Sequence, residues 1–197
     1  MALYTVIADT SETILELLRK HMVPDVLQNK EDIGICRPDD RGTATLGIQL
    51  YHIEQNQEIK NQGRVMLDDE HFMNPPSSMH LNYMVFVRSD SAVATRSIDE
   101  QRILGRAIQV LDDNGRVKQE DLKGVLAMGE NRLDMQNLVL PFEEASKIYT
   151  LFDRTFVLGV FYKVGPVFLD MAEVRRVTRV TSADISVEMK QKKRSGF

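Results

Sequence analysis

The chain has 197 residues, a formal charge of −4, 43% hydrophobic and 27% charged residues, and one cysteine. A chain of this length buries roughly 70% of the surface it would expose unfolded, so it holds a core without covalent staples, and the lone Cys36 excludes an intramolecular disulfide. The mild negative balance argues against bulk affinity for nucleic acid, no window approaches the ~18 successive apolar residues of a membrane span, and the amino terminus lacks a secretory signal, which together point to an α/β domain made in the cytoplasm.

Asp9 and Glu12 have capping-box spacing, followed by Ile14, Leu15, Leu17, Leu18 and Met22, which predicts a first helix. It should stop before Val23-Pro24, because a proline disfavours helical backbone in the residue before it. A short strand is predicted at Asp32 to Cys36. From Thr45 to Glu54, Leu46, Ile48, Leu50 and His52 alternate with Gly47, Gln49, Tyr51 and Ile53, the period of a strand with one apolar face. Gln55 to Ser78 reads as a long excursion rich in turn residues, and it returns as a strand over His80 to Val87.

The best-signalled helix spans Ser97 to Leu111. Ser97 and Glu100 suggest a capping box, and Ile103, Leu104, Ala107, Ile108 and Leu111 form one apolar stripe. Gly115 is placed for a left-handed C-terminal turn. Arg102, Arg106 and Gln109 occupy the other side. Gly105 interrupts the helix, and a glycine there suggests the close approach of another backbone. Beyond it, Leu122 and Val125-Leu126 are weak apolar anchors, Asp134 to Leu140 suggests a strand, and Ala145, Ile148, Tyr149 and Phe152 suggest a short helix on a second face. Phe156 to Gly165 is the strongest strand candidate, with Val167 to Leu169 as an extension past Pro166.

Composition shifts at Glu173. The division is a domain over 1–172 and a basic arm over 173–197, carrying Arg175, Arg176, Arg179, Lys190, Lys192 and Lys193 and one strand free to pair elsewhere.

The residues that carry chemistry are sparse. Asp68-Asp69-Glu70-His71 is the one dense group of ligand types, and as a consecutive loop run it reads as a solvated acidic patch rather than a metal site. A hydrolase would have to use His71 and Asp69. Cys36, in a strand-like setting, reads as a structural thiol. There is no nucleophile elbow, no phosphate-cradling loop and no zinc-protease motif. Glu143-Glu144 suits the start of a helix. The basic tail lacks interleaved aromatics for stacking bases. No enzymatic activity, cofactor or metal is expected.

The order of several segments is informative as a whole. Tyr4 to Thr13 followed by Leu17-Leu18, Leu50 to Asn56 leading to Asn61-Gln62, Leu81-Asn82-Tyr83 with Glu100 to Leu111, and Leu138 to Leu140 with the strand ending at Val164 to Asp170 resemble the tail-terminator, or cap, proteins of contractile phage-tail-like injection systems of the antifeeding-prophage and virulence-cassette type. The chain departs from that pattern in its acidic Met66 to Asn74 segment and after Asp170. The resemblance implies an α/β (α+β) fold, a mixed β-sheet flanked by helices. It also implies a homo-hexameric ring that closes the upper end of an inner tube and sheath, assembled in the cytoplasm and then part of a particle. Arg102, Gly105, Arg106 and the basic arm are the expected partner contacts. The alternative is a baseplate or cargo adaptor of the same particle.

Overall fold

The computed structural model describes residues 4–40, 42–56, 65–66, 71–128, 132–152, 157–169 and 174–176. Three α-helices are described, α1 (Val6–Met22), α2 (Val93–Asp113) and α3 (Phe142–Thr150). The strands are β1 (Ile33–Ile35), β2 (Leu46–Gln55), β3 (Val65–Met66), β4 (His71–Met73), β5 (Ser77–Val87), β6 (Asp134–Asn137), β7 (Leu158–Leu169) and β8 (Val174–Arg176).

The main sheet has five strands in the order β1-β2-β5-β7-β6. β1 runs parallel to β2 and the other neighbours are antiparallel. This is the mixed sheet flanked by helices that the α+β reading anticipates. Its two faces follow from the two-residue period of β5. Met79, Leu81, Tyr83, Val85 and Val87 join the stripes of α1 and α2 in the larger core. Met84 and Phe86 face the other way and pack with Phe161, Phe152 and the α3 residues Ala145, Ile148 and Tyr149. α3 is therefore the expected second-face helix. Gly47 fits this layer because a Cβ there would fall inside the Phe86 ring.

Two bulges adjust the sheet. One extra residue, Tyr51, separates the pairs Leu50↔Tyr83 and His52↔Asn82, so the alternation read through His52 breaks there. Tyr51 turns to the second face and meets the Phe161 ring edge-on at 5.6 Å, and Ile53 rather than His52 lies opposite Leu81. In β7, Gly165 and Pro166 together oppose His80, which lets the strand continue past the proline.

Several local expectations are corrected. α1 starts at Val6, so Asp9 lies inside the helix rather than at its cap, and the first turns are held by the Thr10 and Thr13 hydroxyls donating to the Val6 and Asp9 carbonyls at 2.7 Å. α1 does end before Val23-Pro24. α2 starts at Val93, before Ser97, and its cap residue is Ala92. Glu100 is drawn away from a capping role because its carboxylate accepts the Ser89 N–H at 3.0 Å. Positive φ falls on Gly42, Gly124 and Gly165, not on Gly115. Gly115 instead sits where β6 comes close, with the Met135 N–H donating to its carbonyl at 2.6 Å and a Cβ reaching 3.4 Å from the Met135 oxygen. β6 ends at Asn137, before the expected Leu140, although the Leu138 N–H still bonds the Phe161 carbonyl.

Within the 55–78 excursion, β3 pairs with β4, and β8 from the basic segment completes a second, three-stranded sheet. The strand read as free to pair elsewhere thus pairs here with the same chain, Arg175 opposite Phe72 and Arg176 opposite His71.

Candidate interaction surfaces

Several interior polar groups bind one another. Asp9, 9% exposed, accepts the Thr5 hydroxyl and the Val125 N–H, each at 3.0 Å. This fastens α1 to the 3-10 turn Gly124–Ala127, whose Leu126 enters the core. Gly124 has φ +54°, and a Cβ there would collide with the Asp9 carboxyl group. Tyr83 OH and Ser11 Oγ lie 2.8 Å apart, and burial pushes the Tyr83 hydroxyl up to about 12 despite that bond. Tyr162 OH donates to Asp112 at 2.9 Å, and burial, then the Asp112 carboxylate, holds that hydroxyl above the usual tyrosine value. These bonds tie the helices to the sheet and the 3-10 turn, Asp112 reaching Tyr162 from the exposed side.

Outside the core, a hollow between α1 and the 3-10 turns is lined by Glu16, Arg19, Lys20, Lys30, Asp121 and Lys123. Four of its charges are paired internally: Lys20 Nζ donates to Asp121 at 2.6 Å and Arg19 to Glu16 at 3.0 Å. The Cys36 thiol reaches the Gly34 carbonyl oxygen at 3.7 Å. Among the described residues no three His, Cys, Asp or Glu side chains gather into a metal-binding group. Asp68, Asp69 and Glu70 lie outside the described residues, while His71 is on β4. Among the described residues no helix is long and apolar enough to cross a membrane.

α2 is the conspicuous surface. Its buried residues are Ile103, Leu104, Ala107, Val110 and Leu111, and none from Val93 to Arg102 is buried. The helix thus runs beyond its own core. Arg96 holds that extension by donating to the Ser91 carbonyl oxygen at 3.2 and 3.1 Å. Ile98 is 53% exposed and stands two turns before Gly105, on the face opposite the buried stripe. A Cβ added at Gly105 would meet nothing within 4 Å. The close approach expected at Gly105 is therefore absent among the described residues, and Gly115 is where backbones meet.

Arg102 lies on the same exposed side, its side chain 76% exposed and 3.8 Å from Asp99. Arg106 is different. It turns sideways, donating to Gln109 at 2.8 Å and to the His21 carbonyl oxygen at 3.3 Å, which ties α2 to the last turn of α1. Arg175 and Arg176 are on β8, and Arg179, Lys190, Lys192 and Lys193 lie outside the described residues. The structure brings Arg102 and Gly105 onto one face and leaves Arg106 between helices.

A second patch had no signal in the sequence reading. Val139 and Phe142, at the start of α3, are 89% and 82% exposed beside the exposed Glu143 and Glu144, with Lys147 one turn on. α3 packs by Ala145, Ile148 and Tyr149, so Phe142 projects past the last contact.

Comparison with known proteins connects this architecture to one group of assemblies. The chain superposes on the PVC sheath/tube terminator of an extracellular contractile injection system, in its extended state, with TM-score 0.59 and 15% identity over 94% of this chain and 64% of that one. It likewise superposes on the anti-feeding prophage cap, a tube-terminating cap, with TM-score 0.57 and 13% identity over 91% of this chain and 61% of that one. The chain spans less than two thirds of either protein, and at these identities the likeness is one of fold. No curated protein matches its sequence significantly. The family model of the Pvc16 N-terminal domain, however, matches residues 9–183, nearly the whole chain. The chain belongs to the Pvc16 N-terminal domain family.

Proposed function

We propose that this chain closes the tube and sheath of a contractile injection particle as a homo-hexameric ring, assembled in the cytoplasm and retained on the particle. The observation that carries this reading is the shared fold with two tube terminators over more than nine tenths of the chain. The exposed half of α2 supports it, because a helical extension with no buried side chain gains little from its own domain and is suited to a partner. In such a part no bond is made or broken. A ring occupies the end of a growing cylinder, and its shape stops further addition.

In this reading, residues 1–172 form the ring body and 173–197 an arm. Arg102, Gly105 and Arg106, with Arg175, Arg176, Arg179, Lys190, Lys192 and Lys193, contribute to contacts with neighbouring copies, tube and sheath. The test is deletion of the chain from a producing cell, with tube lengths measured by electron microscopy. Length should lose its sharp distribution and tube ends should be open. Closed tubes of unchanged length would overturn the reading, and a labelled copy found at the baseplate end would replace it with the adaptor role.

A further inference from the structure

We propose that copies of this chain join head to tail, the exposed face of α2 in one copy receiving the start of α3 of the next. The proposal rests on the ring reading above and names the surfaces that close the ring.

The α2 side supplies an apolar anchor and an opening. Ile98 is 53% exposed, and two turns later Gly105 leaves a gap where a Cβ would meet nothing within 4 Å. A glycine in mid-helix weakens the helix, and no contact among the described residues accounts for it. A side chain from another copy, seated over the gap beside Ile98, does account for it. The flanking charge is Arg102, paired loosely with Asp99 at 3.8 Å, while Arg96 lies round the helix on the Ser91 carbonyl and Glu100 is engaged by the Ser89 N–H.

The α3 side has the complementary character. Phe142, 82% exposed, and Val139, 89% exposed, form an apolar projection, and Glu143 and Glu144 outnumber Lys147 around it. The helix dipole explains acidic residues in a first turn, but it gives no reason for a bare phenylalanine among them. Aromatic side chains that fill a pocket at the centre of a contact dominate binding between proteins, with charges at the rim setting register. Phe142 entering the gap at Gly105 and Ile98, with Arg102 toward Glu143 and Glu144, has that composition.

Position completes the argument. α2 packs on one face of the main sheet and α3 on the other, in separate core clusters. A contact between two different patches on opposite sides of a molecule is heterologous, and such contacts repeat head to tail, closing a ring where their rotation closes and running on as an open filament where it does not.

The experiment is analytical ultracentrifugation of the full chain and of two variants, Gly105→Leu and Phe142→Ser. Both positions are exposed, so the folded monomer should keep its helix content by circular dichroism, and the leucine should raise its melting temperature. Each variant should weaken self-association at least tenfold. A Glu143→Arg/Glu144→Arg variant should do the same, and Arg102→Glu on a partner copy should recover association. A wild-type chain that sediments as a monomer at all concentrations overturns the ring reading itself. A wild-type ring whose dissociation is unchanged in both Gly105→Leu and Phe142→Ser overturns the α2–α3 contact alone.

Discussion

The Asp9 carboxylate accepts the Val125 N–H at 3.0 Å, and the residue before Val125 has no side chain because one would strike that carboxylate. A hydrogen bond across 116 sequence positions thus depends on a glycine. Gly124→Ala combines that collision with a φ of +54° that an L side chain rarely adopts. It should destabilise the fold by about 2–4 kcal/mol, measured as the shift in urea midpoint at constant slope. Asp9→Ala should lose about 1–3 kcal/mol, since Val125 is left with a poorly satisfied donor.

Arg106 joins α2 to α1 through the His21 carbonyl at 3.3 Å. Removing the guanidinium in Arg106→Ala should lower stability by about 1 kcal/mol. Arg102→Ala, at an exposed surface pair, should change stability by less than about 0.5 kcal/mol. Parallel thermal melts of the two variants check the contrast.

Gly105→Ala meets open space. It should stabilise the monomer by up to about 1 kcal/mol through helix propensity alone. Gly115→Ala, 3.4 Å from the Met135 carbonyl oxygen, should not. Melting temperatures in dilute solution, below any self-association, distinguish the two glycines.

High pH should weaken the fold through the buried Tyr83 hydroxyl. Burial raises the Tyr83 hydroxyl from 10.0 to about 12. A raised folded-state value contributes stability that is complete below pH 10 and is lost between pH 10 and 12 as the unfolded chain ionises first. The loss should be on the order of 2–3 kcal/mol, and Tyr83→Phe should flatten that part of the curve.

Mild acid should also weaken the fold through His80. Burial first, then the Lys163 charge, depresses its imidazole below 6.5, against an opposing pull from Glu54. The unfolded chain takes up the proton more readily, so stability is complete above pH 6.5 and falls below it. Chemical denaturation from pH 7 to 5 should show a smaller decline in His80→Gln than in wild type.

What the sequence revealed followed burial. The stripe Ile103, Leu104, Ala107 and Leu111 was legible because those side chains face a core, and periodicity records that facing. The residues Val93 to Arg96 gave no helix signal for the same reason: touching no core, they have no period to show. Glycines were visible as exceptions, but their causes were not. Gly105 stands inside α2 with open space beside it and Gly115 beyond its end against Met135, and a neighbour 20 residues away along β6 is invisible to local pattern. Tyr51 was read in strict alternation because a bulge adds one residue without changing composition. Of the expected contact residues, Arg102 was placed by helical spacing. Phe142 was missed because three of the next seven residues point into the core and disguise it as one more of them.

The main sheet has two unlike ends. β2 stops, β5 begins and β7 stops at one of them, where Gln55 lies opposite Met79 and Ser77 opposite Leu169. α2 departs from the other, after Val87. β8, which carries Arg175 and Arg176, is stitched to β4 just ahead of β5 and so lies toward the first end, away from the root of α2. The described structure is thus a plate with a polarity, its smaller sheet joined at one margin and the root of its longest helix at the other.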